Sequence, residues 1–93
     1  MPVDFSTKVS LPSHVCRREM DGESVLLNLD TEYYHGLDTV GSKMLDLLEA
    51  SESVEAAMQS LVEVFDVEPD RLRTDLDEFV TEMLKHGLLE SNS

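Results

Sequence analysis

Positive charge is what this chain has least of: seven Lys and Arg stand against twenty Asp and Glu in 93 residues, a formal charge of -13. Such a field repels nucleic acid and anionic membranes, so neither is expected as a partner. Strands followed by three helices would permit a DNA-binding winged helix-turn-helix. No basic residue lies between Met44 and Asp70, however, and a helix from that region would carry negative charge into a groove walled by phosphates. Cysteine is nearly absent too. Cys16 alone excludes an internal disulfide and fits a reducing compartment, and as a small apolar residue it is expected to be buried. No run of about 18 apolar residues is present to span a bilayer, and Met1-Pro2-Val3-Asp4 lacks the basic-then-apolar build of a secretion signal. A cytoplasmic protein is expected.

Reactive groups are equally scarce. His14 and Cys16 share one face of a strand and His35 is the only further ligand within reach across a sheet, short of the four that structural zinc takes. No C-x-x-C or H-x₃-H spacing occurs, nor a G-x-S-x-G, H-E-x-x-H, phosphate-binding glycine loop or EF-hand pattern. Catalytic residues, metal and cofactor are therefore expected to be none. His86 falls in the last turn of a helix, where partial positive charge is favourable. Glu49, Glu52, Glu55, Glu63, Asp66, Glu68 and Asp70 have no ligand spacing and read as a solvated acidic face. An acidic carrier or adaptor engaging partners through that face is the alternative function. The serine on which an acyl carrier depends is missing, since Asp38 is followed by Thr39.

What is present organises around Val25 to Gly41, where strand chemistry turns into helix chemistry. One small domain is expected, with residues 1–13 as a flexible arm that Val9 and Leu11 could pin, 14–90 as the folded unit and 91–93 as a frayed tail. His14 to Met20 alternates as a strand, Asp21-Gly22 is a strong hairpin signal, and Ser24 to Leu29 supplies the pairing strand. Asp30-Thr31-Glu32 turns the chain into a third strand, Tyr33 to Leu37, and Asp38 caps a helix. Ser53 caps a second helix, with its apolar stripe running from Val54 to Phe65. Pro69 opens a third and Gly87 closes it, after which Leu88 and Leu89 can fold back. The fold class is α+β, winged helix-turn-helix-like: a three-stranded antiparallel sheet followed by three helices.

The two outer strands differ in their edges. Arg17, Arg18 and Glu19 charge one, whereas Tyr33-Tyr34-His35-Gly36 carries none of the Lys, Arg or Pro residues that usually blunt an exposed edge. Such an edge can accept an extended peptide as one more strand if an apolar wall stands beside it. The third helix has an unusually wide stripe, Leu72, Leu76, Phe79, Val80, Met83 and Leu84. Leu72, Leu76 and Phe79 on its border are the expected wall, with Arg71 or Arg73 meeting peptide carboxylates. The candidate binding set is Tyr33, Tyr34, His35, Gly36, Leu37, Arg71, Leu72, Asp75, Leu76 and Phe79. Proline at His35 should weaken binding if that N–H points outward. The competing reading places Leu72, Leu76 and Phe79 simply in the core.

The blocks Gly22-Glu23-Ser24-Val25-Leu26-Leu27-Asn28-Leu29, Tyr33-Tyr34, Leu37-Asp38-Thr39-Val40-Gly41, Phe65-Asp66-Val67-Glu68-Pro69-Asp70-Arg71-Leu72 and Gly87-Leu88-Leu89 follow one another in this order. In that order they resemble the PqqD-like family, also called RiPP recognition elements, over about residues 14 to 90. The resemblance implies a winged-helix-like domain that captures the leader of a ribosomally made precursor peptide. The leader would lie antiparallel along the third strand, in a groove completed by the third helix. Implied partners are that precursor and a peptide-modifying enzyme such as a lasso-peptide leader protease or a radical enzyme. The protein itself would be a monomer or a homodimer, since an open edge can also pair with its copy. Thr31-Glu32 departs from the family's frequent glycine in the turn before the paired aromatics, which predicts a longer or differently twisted hairpin. Asp38 replaces its frequent Asn and caps equally well.

Overall fold

The computed structural model describes residues 3–92, so Met1 and Pro2 of the expected arm and Ser93 of the expected tail lie outside the described residues. In chain order the elements are β1 (Lys8–Ser10), β2 (Val15–Met20), β3 (Glu23–Asn28), β4 (Tyr34–Leu37), α1 (Thr39–Ala50), α2 (Val54–Val64), α3 (Pro69–Lys85) and β5 (Glu90–Asn92). The main sheet has the order β2-β3-β4, with β4 at one edge. This is the α+β architecture expected, a three-stranded antiparallel sheet followed by three helices.

The arm and tail correct the expectation of loose ends. β1 and β5 pair antiparallel, with Lys8 opposite Asn92 and Ser10 opposite Glu90. Burial explains it: Val9 points inward between two polar neighbours and joins the core, while Lys8 Nζ donates to the carbonyls of Leu48, Glu49 and Ser51 at the end of α1. That helix has no basic residue of its own in its last turn, so Lys8 satisfies acceptors left without partners. The carbonyls of Phe5 and Thr7 likewise accept from the N–H groups of Glu55 and Val54 in the first turn of α2. The N-terminal segment is thereby held against the helices and not along β4.

The Asp21-Gly22 turn has φ of 53° and 82°, the doubly positive geometry that matches strand twist in a two-residue hairpin. It sets Arg17 opposite Leu26, and Leu26 in turn lies opposite His35. Residues opposite one another share a face. The face turned to the helices therefore carries Ser24, Leu26 and Asn28, all buried, and leaves Val25 and Leu29 outside. It is the more polar side of β3. Arg17 makes this workable, because its guanidinium donates to Ser24 Oγ and to the carboxylates of Asp46 and Glu49 on α1, so the inward charge is paired. Asp38 Oδ1 accepts from Gly41 N–H and Ser53 Oγ from Ala56 N–H, the two caps expected. After α3, Gly87 takes φ 68°, Leu88 N–H donates to Met83 O and Gly87 N–H to Leu84 O, which is a Schellman closure. Leu88 and Leu89 are thereby folded into the core.

Asn28 ties the end of this helix to the sheet. Its side-chain oxygen accepts from the N–H groups of Asp30 and Thr31, and its amide donates to His86 O at 3.1 Å. Its backbone N–H and O bond Tyr33 and Glu32. The turn closes with Glu32 at φ 62°, a left-handed position where glycine fits without strain and glutamate does not. Asn28→Ala removes the buried side chain that bonds the Asp30 and Thr31 N–H groups and the His86 carbonyl and is expected to cost about 2 kcal/mol of stability, read by urea denaturation; a loss too small to measure would show that these bonds do not hold the turn.

Candidate functional site

The outward groups of β4 follow from one hydrogen bond. Asn28 N–H donates to Tyr33 O at 2.8 Å, so that pair is a bonded one. Bonded and non-bonded pairs alternate along an antiparallel ladder. Leu26–His35 and Ser24–Leu37 are then bonded, while Leu27–Tyr34 and Val25–Gly36 are not. The N–H and C=O groups of Tyr34 and Gly36 consequently point away from β3, and among the described residues no strand pairs with them. His35 turns its N–H inward to Leu26. The condition attached to proline at His35 is not met, and that substitution would break the sheet itself.

Side chains follow the opposite parity. Tyr34, 72 % exposed, lies on the outer face with Met20, Val25 and Leu29, while His35 and Leu37 face the helices. Tyr33, just before the strand, is half-buried: its ring stacks on His86 with centroids 4.2 Å apart, and its hydroxyl lies 3.5 Å from His35 Nδ1. His86 Nε2 meets Glu82 at 2.9 Å, so one histidine braces both the tyrosine and the end of α3. A Cβ built on Gly36 meets nothing within 4 Å, which leaves the strand approachable there.

Between β4, the start of α1 and α3 lies an open cavity of about 470 Å³. Met44, Met83 and Gly41 form its floor, Val40 and Phe79 are apolar walls, and His35, Asp38, Asp75, Glu78 and Glu82 line the rim. Phe79 and Asp75 from the expected set are here beside His35. Leu72 and Leu76 are not: both are buried in the core at 2 % and 0 % exposure, which corrects their assignment as a wall. At about 100° per residue Leu76 falls near the middle of the α3 stripe, whereas Phe79 stands at one border and Leu84 at the other. Arg71 is on the groove flank of the helix, 4.0 Å from Asp75. Arg73 is not available for peptide carboxylates, since it bonds Glu55 and lies over the Phe5 ring. Hydrogen bonds from the Arg73 guanidinium and the Gln59 amide hold the Glu55 carboxyl below its ordinary range.

Sequence reasoning missed Val40, Gly41, Met44, Glu78, Glu82 and Met83. The same helical projection that separates Phe79 from Leu76 would have placed Asp75 and Glu82 on the outer side of Phe79, with Glu78 beyond them; a helix starting two residues after β4 would have brought Val40 and Met44 there. Cys16 is exposed, not buried, and shares the outer face with Leu27 and Tyr34. His35 is on the other face, so strand parity separates it from His14 and Cys16. Among the described residues no three His, Cys, Asp or Glu side chains gather as metal ligands.

A small α+β domain with an unpaired strand next to a helix-walled cavity is the class of protein that these features define. The chain belongs to the PqqD family: the model described as Coenzyme PQQ synthesis protein D (PqqD) matches residues 23–89. Among solved structures, "TbiB1 in Complex with the TbiA(beta) Leader Peptide" is similar at 31 % identity and a TM-score of 0.81, covering 89 % of this chain and 96 % of that one. "Lasso peptide synthetase B1 complexed with the leader peptide" shares the fold at 20 % identity and a TM-score of 0.79, over 89 % and 98 % of the two chains. A comparison with curated protein sequences found no match. No helix among the described residues is long and apolar enough to cross a membrane.

Proposed function

We propose that this protein is a non-catalytic recognition element of the cytosol that binds the leader of a ribosomally synthesised precursor by strand addition to β4. It delivers the peptide to a modifying enzyme, a lasso-peptide leader protease or a radical enzyme. The observation that carries this is the pair of outward backbone units at Tyr34 and Gly36 beside the cavity walled by Phe79. Main-chain bonds there give affinity without regard to sequence, and every second side chain of the guest enters the groove, where choice is made. The resemblance to a relative whose structure holds a leader peptide supports the same reading.

Isotope-labelled protein titrated with candidate leader peptides tests it. Amide shifts should concentrate at Tyr34, Gly36 and the 75–82 face of α3. Shifts confined to the acidic surface of α2 would instead favour a carrier or adaptor role. A genomic neighbourhood holding a short precursor gene beside a protease or radical enzyme would name the pathway.

A further inference from the structure

The groove is walled by carboxylates. Asp75, Glu78 and Glu82 line it from α3 and Asp38 from the start of α1, around a floor of Met44 and Met83 and the apolar wall of Phe79. The partners of these carboxylates sit at its ends: the Arg71 guanidinium lies 4.0 Å from Asp75, and the His86 ring bonds Glu82. Glu78, in the middle and exposed, makes no ion pair or hydrogen bond among the described residues. Among the described residues no lysine or arginine lines the cavity.

We propose that the strand taken by this groove carries a Lys or Arg on its inward side next to an apolar residue, so that the protein selects basic leader segments and rejects acidic ones. The inference rests on the strand-addition reading. A guest bonded to Tyr34 and Gly36 sends the side chains opposite His35 and Leu37 toward the groove. An apolar side chain there covers Phe79 and Met44. Its neighbour two residues along has a stem long enough to lie on the same apolar floor while its charged head reaches Glu78 or Glu82. An acidic guest residue would meet like charge at close range, and the net charge of -13 would slow its approach from afar.

A displayed library of short random peptides, selected on the full chain at low salt, tests this. Enriched peptides should carry an apolar residue and a Lys or Arg two positions apart, on the same face of the strand. One of them, synthesised, should bind Glu78→Gln/Glu82→Gln protein roughly threefold to tenfold more weakly than the parent, with much of the difference lost at high salt. Both positions are exposed, Gln at 82 keeps an oxygen to face His86, and thermal melts of the double variant and of Glu78→Gln alone separate any loss of fold from loss of binding. If enriched peptides lose binding to Gly36→Pro protein yet tolerate Lys→Glu and ignore the double variant, the charge inference is overturned and strand addition stands. If nothing is enriched, or enriched peptides bind Gly36→Pro protein as well as the parent, strand addition fails and takes the inference with it.

Discussion

Gly36→Pro is expected to lower leader-peptide affinity at least tenfold, about 1.4 kcal/mol or more, while the domain stays folded. Proline removes the one donor at this position, and that N–H points away from β3, so no ladder bond of the protein is lost. An edge position whose N–H faces solvent is where a strand tolerates proline. A Cβ at position 36 meets nothing within 4 Å, so a side chain there starts into open space. An incoming strand loses that hydrogen bond and also meets the ring where its carbonyl would sit. His35→Pro supplies the contrast, because its N–H bonds Leu26 and its loss would lower the melting temperature. Fluorescence anisotropy with a labelled leader, alongside thermal melts, reads both. Undiminished affinity in folded Gly36→Pro protein would mean that the peptide docks elsewhere.

Leu76→Ala is expected to cost about 3 kcal/mol of stability, within the range for truncating a fully buried leucine. For a domain of this size that is a fall of roughly 12–24 °C in melting temperature. Leu76 has no exposed surface and lies among the buried residues of all three helices, so its removal leaves a cavity in the core and not a gap in the groove. Phe79→Ala should divide its effect the other way. That ring is only partly buried and lines the cavity, so truncation weakens peptide binding more than it weakens the fold. Equal stability losses for the two variants would contradict the placement of Phe79 on the wall.

The difference between these two residues marks how far the sequence could be read. Local chemistry announced the elements well: Asp21-Gly22, Asp38, Ser53, Pro69 and Gly87 each act where their backbone preferences or capping oxygens direct. Alternation showed that β3 has two faces but not which one the helices cover. Hydrophobicity would favour Val25, Leu27 and Leu29, whereas the core takes Leu26 with Ser24 and Asn28, because Arg17, Ser42 and the end of α3 supply partners from distant parts of the chain. The same non-local bonding fastened β1 and β5, each too short to stand out alone. The open edge was legible from its missing charges. Its hydrogen-bond phase was not, since that depends on which residue of the 30–33 turn closes the ladder.

That phase has a consequence for how accurately a precursor is measured out. With only Tyr34 and Gly36 offering bonds, a guest displaced by one residue would turn its whole pattern inside out, whereas a displacement of two restores every main-chain contact. Slippage is therefore quantised in jumps of about 7 Å. The backbone sets the size of each jump and only the inward side chains forbid it, so truncating Phe79 should blur the position at which a downstream enzyme cuts, by two residues and never by one.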